Sequence, residues 1–169
     1  MKKFFATVWL VLGLCLLFQT SVYCQEISIQ KVQVVTEIGT LANKKNYDKA
    51  LEKCNIAMQT YPDDYELYYW KGTIEINLKK YKEAIRSFDK AIELKSDLSS
   101  IYVMRGISKS YLDDNDGAIE DFNYAIKLDP KDSSAYSMRA CVKIAQGDLK
   151  GANEDLDMAN KLFDESSNK

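Results

Sequence analysis

The sequence contains no histidine, and only two prolines, seven glycines and four cysteines in 169 residues. Without an imidazole, the usual catalytic triads, the common zinc sites and the ordinary proton shuttle near neutral pH are excluded, which leaves carboxylates or a lone cysteine for any catalysis. The scarcity of proline and glycine excludes collagen-like and low-complexity chains, and the scarcity of cysteine excludes a disulfide-dense scaffold. A basic excess is missing too: 23 Lys and Arg stand against 25 Asp and Glu, a net charge of −2. Such a chain offers no electrostatic footprint for nucleic acid. What is present is 46% hydrophobic and 28% charged, the composition of an ordinary globular domain.

The first 24 residues are of a different kind. Lys2 and Lys3 precede 15 uncharged residues, Phe4 to Phe18, before Gln19, Thr20 and Ser21 turn polar. This is the layout of a secretory signal. A helix of that length covers roughly 22 Å, short of the ~30 Å hydrocarbon core, so cleavage is expected ahead of an uncleaved anchor. Val22 and Cys24 are suitable −3 and −1 residues for cleavage after Cys24, and Tyr23 argues against lipid attachment there. The expectation is export, with transient membrane contact and a periplasmic or secreted mature chain of charge 21 − 25 = −4.

From residue 31 the chain repeats every 34 residues without gaps, in blocks 31–64, 65–98, 99–132 and 133–166. Column 20 reads Ala50, Ala84, Ala118, Ala152 and column 27 reads Ala57, Ala91, Ala125, Ala159. Seven residues are two helical turns, so both columns share one face. Column 24 is Cys54, Phe88, Phe122, Leu156; column 4 is Val34, Tyr68, Tyr102, Tyr136; column 8 is Ile38, Gly72, Gly106, Ala140. Small residues facing aromatic ones describe two helices in close approach. Each block therefore reads as a helical hairpin, whose second helix is ended by Pro62 or Pro130 in column 32 and begun by Asn46, Asp114 or Asp148 in column 16.

These columns resemble the tetratricopeptide repeat, whose 34-residue unit carries an aromatic at 4, a small residue at 8, alanine at 20 and 27, an aromatic at 24 and proline at 32. The resemblance covers nearly the whole chain after residue 30, with departures at Ile38, Cys54, Ser96, Leu156 and Asp164. It implies an all-α solenoid of four helix-turn-helix repeats wound as a right-handed superhelix, with residues 25–30 as a leader and 167–169 as a tail.

Two finer patterns concern packing. Column 21 runs Leu51, Ile85, Ile119, Asn153 and column 28 runs Met58, Ile92, Ile126, Asn160. The switch to amides in the fourth block reads as the polar end face that a terminal repeat requires. Columns 7 and 23 pair Glu37 with Lys53, Lys71 with Ser87, Arg105 with Asp121 and Arg139 with Asp155. Where one is acidic the other is basic, and these three couples are expected to form partly exposed ion pairs worth about 0–1 kcal/mol each.

Two candidate chemistries fail. Asp113, Asp114, Asn115, Asp116 and Gly117 invite a calcium-loop reading, but a loop with Gly117 at position six starts at Leu112 and ends at Asn123, where carboxylates are required. Cys54 and Cys141 are two repeats apart, beyond disulfide reach, and have no histidine base. Cys54 is read as buried and Cys141 as more accessible. No metal, cofactor or enzymatic activity is expected.

The resemblance implies one functional surface, a concave groove lined by positions 2, 5, 6, 9, 12 and 13 of the first helices. Family members that hold chaperone C-termini place lysine, asparagine and arginine where this chain has Val35, Gly39, Trp70, Ser100 and Met104, so that carboxylate clamp is absent. The expected lining is Val35, Tyr69, Trp70, Thr73, Asn77, Val103, Met104, Ile107, Tyr111, Met138 and Cys141. Aromatic anchors beside adaptable methionines suit an extended peptide or an amphipathic helix. The functional expectation is a non-catalytic adaptor for a protein or peptide partner. The alternative is self-assembly into a homo-oligomer, the groove taking the segment Gln25 to Gln30 of another copy.

Overall fold

The computed structural model describes residues 25, 26 and 28–167; the expected signal segment 1–24 lies outside them. Among the described residues there are eight helices and no strand: α1 (residues 28–43), α2 (Tyr47–Thr60), α3 (Tyr65–Asn77), α4 (Tyr81–Leu94), α5 (Ser99–Ser110), α6 (Asn115–Leu128), α7 (Ser133–Ala145) and α8 (Leu149–Ser167). Of the expected leader, residues 25 and 26 are helical and residues 28–30 form the start of α1. None of these helices is long and apolar enough to cross a membrane. Consecutive helices pack antiparallel as four hairpins, and first helices also touch along the stack, α3 with α5 and α5 with α7.

Contact within a hairpin is governed by the volumes at columns 8 and 24. A Cβ on Gly72 would lie 2.7 Å from the Phe88 ring, and one on Gly106 2.7 Å from Phe122, so only glycine admits the aromatic there. The first hairpin reverses the sizes, with Ile38 and Cys54 fully buried in one cluster, and the fourth is intermediate, with Ala140 and Leu156. The departures at Ile38, Cys54 and Leu156 are thus compensated pairs. The alanine columns lie beneath, all eight residues at most 5% exposed.

Between hairpins, columns 21 and 28 meet columns 3 and 10 of the next repeat. Leu51 and Met58 pack with Leu67 and Ile74, and Ile119 and Ile126 with Ala135 and Val142. The outer ends are polar at the same positions, Gln33 and Thr40 on α1 and Asn153 and Asn160 on α8, all exposed. On α8 that polarity is partial, since Leu149 and Phe163 remain 63% and 64% exposed.

The turn inside each hairpin ends its first helix with a residue at positive φ in column 15: Lys45 (59°), Lys79 (60°), Asp113 (62°) and Gly147 (84°). The next amide reaches five residues back, as in Asn46 N–H to Leu41 O (2.9 Å) and Lys80 N–H to Glu75 O (2.8 Å), the Schellman closure. Asp114 and Asp148 cap the second helices by accepting from the Gly117 and Gly151 amides. Asn46 occupies the same position but makes no side-chain cap, contrary to expectation. Asp64 and Asp132 cap α3 and α7, a role the sequence reading missed. Column-4 tyrosines bind back to the preceding turn, Tyr68 donating to Pro62 O (2.9 Å) and Tyr102 to Ser96 O (3.1 Å).

Of the three expected ion pairs, those of the third and fourth repeats need correction. Only Glu37 and Lys53 form an exposed pair, at 2.8 Å. Arg105 donates to both oxygens of Asp121 (2.9 and 2.6 Å) and also to Asp89, while Lys109 reaches Asp121 at 2.9 Å. Arg139 and Lys143 enclose Asp155 in the same way. Each carboxylate is 4% exposed, because a lysine one turn beyond the arginine closes over it. The second repeat lacks the acid: Ser87 stands in its place and donates to a buried Glu75 at 2.6 Å, and Lys71 forms no ion pair among the described residues.

Titration differs in sign between these sites. Burial raises the Glu75 carboxyl above the ordinary glutamate range, and the Ser87 hydroxyl and Lys71 offset this only in part. Burial would also raise Asp155, but hydrogen bonds from Arg139 and Lys143 outweigh it and hold the group low. Asp155 therefore contributes stability above the unfolded-chain value of about 3.9, lost as pH falls through its folded value. Glu75 opposes folding as pH rises from the unfolded glutamate value through its raised folded value.

Three outcomes are expected in thermal unfolding followed by circular dichroism. Gly106→Ile alone costs about 1–3 kcal/mol by overpacking, and Phe122→Cys alone about 3–5 kcal/mol by cavity formation. The double substitution, which copies the first hairpin, recovers most of both losses; simple additivity would refute the compensation. Asp121→Ala costs about 3–5 kcal/mol by stranding Arg105 and Lys109. Glu75→Gln raises the melting temperature at neutral pH, and this gain vanishes in acid, where the wild-type carboxyl is itself neutral.

Candidate functional site

Stacking the hairpins places first helices side by side and opens a cleft of about 340 Å³ across three of them, α1, α3 and α5 with the residue that precedes it. Val35, Tyr65, Tyr69, Trp70 and Leu98 form its apolar wall over the fully buried Ile101, and Glu66 and Ser100 supply polar groups. The Trp70 indole can approach the first helix closely because column 9 there is glycine: a Cβ on Gly39 would come within 2.9 Å of Trp70 Cζ2. Tyr69 meets Trp70 edge-on with centroids 6.1 Å apart, and meets Phe88 at the same distance. Phe88 fills the Gly72 notch, so the aromatic wall is set by the hairpin core beneath it.

The expected lining divides into three groups. Val35, Tyr69 and Trp70 come together in the cleft, each also partly packed into the core. Met104, Ile107 and Met138 are partly buried against the clusters between repeats, while Thr73 and Asn77 turn their side chains to carbonyls one helical turn back. Tyr111 and Cys141 are exposed, the tyrosine at 60%. Val103 does not belong to the surface: at 5% exposed it sits in the core with Ala118 and Phe122, so its assignment to the groove is corrected. The sequence reading missed Tyr65, Glu66, Leu98, Ser100 and Ile101. Glu66 and Ser100 occupy column 2, itself a groove position, whereas Tyr65, Leu98 and Ile101 lie just outside the groove columns.

Across columns 2, 5, 6, 9, 12 and 13 of all four blocks, Glu66 is the only charged side chain. Tyr65 donates to it at 3.2 Å, and burial together with that neighbouring charge raises the Tyr65 hydroxyl. Burial raises Tyr69 as well. Both therefore remain hydrogen-bond donors at physiological pH. Beside the cleft, Lys31 is held by Asp64 at 2.7 Å, which keeps that cation on the rim. The surface is thus apolar and aromatic, with hydroxyl tips and one carboxylate.

Reactive groups are sparse. Burial pushes the Cys54 thiol up to about 12, which removes it as a nucleophile, and both described cysteines are free. Among the described residues no group of three or more ligating side chains is placed to hold a metal ion. A further recess of about 420 Å³ lies on the outer flank of the first hairpin, between α1 and α2, lined by Gln30, Gln33, Val34, Lys53, Ile56 and Tyr61 among others.

Comparison with known proteins agrees with the helical-repeat architecture. The tetratricopeptide-repeat family profile matches residues 65–98 and 99–132, the second and third hairpins. No curated protein matches in sequence. Among solved structures, MamA from Desulfovibrio magneticus RS-1 is 20% identical with a TM-score of 0.72, over 78% of this chain and 75% of that one. A thermophilic TPR protein of Thermus thermophilus is 18% identical with a TM-score of 0.73, over 79% and 75%. The first TPR domain of Spaghetti (RPAP3), solved bound to the HSP90 peptide SRMEEVD, is 19% identical with a TM-score of 0.66, over 69% and 93%.

Proposed function

From the premise that this chain carries tetratricopeptide repeats in an all-helical solenoid, we propose that it is a non-catalytic adaptor holding a segment of a partner protein in the cleft between α1, α3 and α5. One observation carries the reading: Val35 of α1, Tyr65, Tyr69 and Trp70 of α3, and Leu98 just ahead of α5 contribute apolar and aromatic side chains to one open surface whose only charge is Glu66. An uncharged surface desolvates apolar side chains at little cost and penalises a ligand carboxylate that finds no cation. The partner segment is therefore apolar and neutral or basic, with a lysine or arginine facing Glu66. The reading extends to export through residues 1–24, supported by Lys2 and Lys3 before the uncharged run.

The test uses Trp70 emission after Trp9→Phe leaves it the only indole. Apolar peptides bearing one lysine are expected to shift the emission, and Ser100→Arg, which fills the cleft from an exposed position, to abolish the shift. Glu66→Lys should weaken binding about tenfold, about 1.4 kcal/mol. SRMEEVD should leave the emission unchanged, because no cation stands at the clamp positions. Response to that acidic peptide, or indifference to Ser100→Arg, would overturn the assignment. Export is checked separately by amino-terminal sequencing of the protein recovered from its host, which is expected to begin at Gln25.

A further inference from the structure

The turns inside the four hairpins stack along one edge of the array, and each is joined to the next. Tyr47 donates to Asn77 Oδ1 at 3.0 Å, Tyr81 stacks on Tyr111 at 4.6 Å and 11°, and Gln146 donates to Asp116 Oδ1 at 2.9 Å. Charge along this edge is divided into two lobes. Taking each turn with the first four residues of its second helix, repeats one and two carry six lysines against Asp48 and Glu83, 6 − 2 = +4. Repeats three and four carry Asp113, Asp114, Asp116 and Asp148 against Lys150, 1 − 4 = −3. Lys44, Lys45, Lys79 and Lys80 are exposed and form no ion pair among the described residues.

Two further observations mark the edge. Where the lobes meet, Tyr111 is 60% and Leu112 37% exposed, an apolar centre flanked by opposite charges. Column 15 needs a left-handed residue, which glycine adopts without penalty, yet three repeats place Lys45, Lys79 and Asp113 there at φ of 59° to 62°. The chain accepts backbone strain at three of the four turn tips and keeps a charge at each.

We propose that this edge is a docking surface for a second copy of the same chain, related by a twofold axis through the Tyr111–Leu112 region. The charge pattern selects that occupant. A uniformly anionic ligand would meet the aspartate lobe and a cationic one the lysine lobe, whereas an inverted copy lays each lobe on its opposite and apposes the two apolar centres. Such an isologous contact is closed by its own symmetry. Its polar part is screened by salt, with a Debye length of about 30 Å at 0.01 M and about 3 Å at 1 M. The surface is separate from the cleft, so the adaptor reading and this one stand or fall independently.

The experiment compares the full chain with two charge-reversed variants by sedimentation velocity, with helix content checked by circular dichroism. Wild type is expected to sediment as a dimer at low ionic strength and as a monomer at high salt. Lys79→Glu with Lys80→Glu brings the first lobe to 4 − 4 = 0 and leaves it no positive excess for the aspartate lobe; Asp113→Lys with Asp116→Lys turns the second lobe to 3 − 2 = +1, so that both lobes repel their counterparts. Each variant alone should be monomeric, and an equimolar mixture of the two should recover the dimer. Zero-length carbodiimide cross-linking of mixed isotope-labelled and unlabelled wild type gives a second measurement that needs no variant; intermolecular links should join Lys79 or Lys80 to Asp113 or Asp116. A wild type monomeric at low salt, variants that still dimerise alone, a mixture that stays monomeric, cross-links elsewhere, or adsorption to anionic phospholipid vesicles without self-association would each overturn the proposal.

Discussion

Close approach of two helices at one small residue is the constraint on which the rest of this structure depends. Because Gly72 and Gly106 present no Cβ, Phe88 and Phe122 lie directly against the first helix, and the alanine columns can close beneath them. Hairpin geometry then fixes the spacing of successive first helices, and that spacing fixes the cleft. Tyr69 leans on Phe88, and Trp70 on the bare backbone of Gly39, so the aromatic wall is an outward extension of the packing below it. A change of one methyl group in the hairpin core is therefore felt at the surface.

Most of the architecture was legible in the sequence, because a 34-residue period repeats the same packing problem four times and each copy corroborates the others. The solenoid, the alanine face, the prolines at helix ends and the amides at the last repeat can all be read from columns. Pairwise chemistry was legible only as a coincidence of charge. Arg105 with Asp121 and Arg139 with Asp155 were visible as partners, but their burial depended on Lys109 and Lys143, whose column is leucine or glutamate in the other repeats. A residue that completes a cluster in two repeats of four leaves little periodic signal.

The site was less legible for a related reason. Column membership states which way a side chain points from its own helix, whereas accessibility depends on what the neighbouring helix puts opposite it. Val103 points from a groove column yet is covered by the core around Phe122. Leu98 and Ile101 lie outside those columns yet border the cleft, because it opens near the start of α5. That the groove columns carry a single charge, Glu66, needed only the residue types, and the proposed binding rests on it most directly.

Neighbour contacts in a stack of repeats are shared unequally. An inner hairpin is held on both sides, whereas among the described residues the first and last are each held on one, so local opening is expected to be easiest at α1 and α8. The cleft rests on α1, α3 and α5 together. A segment held there would span the joint between an outer hairpin and the two beyond, and would act as a splint. Occupancy is then registered far from the contact itself, as slowed exchange along the first hairpin and a shift in where the array begins to unzip.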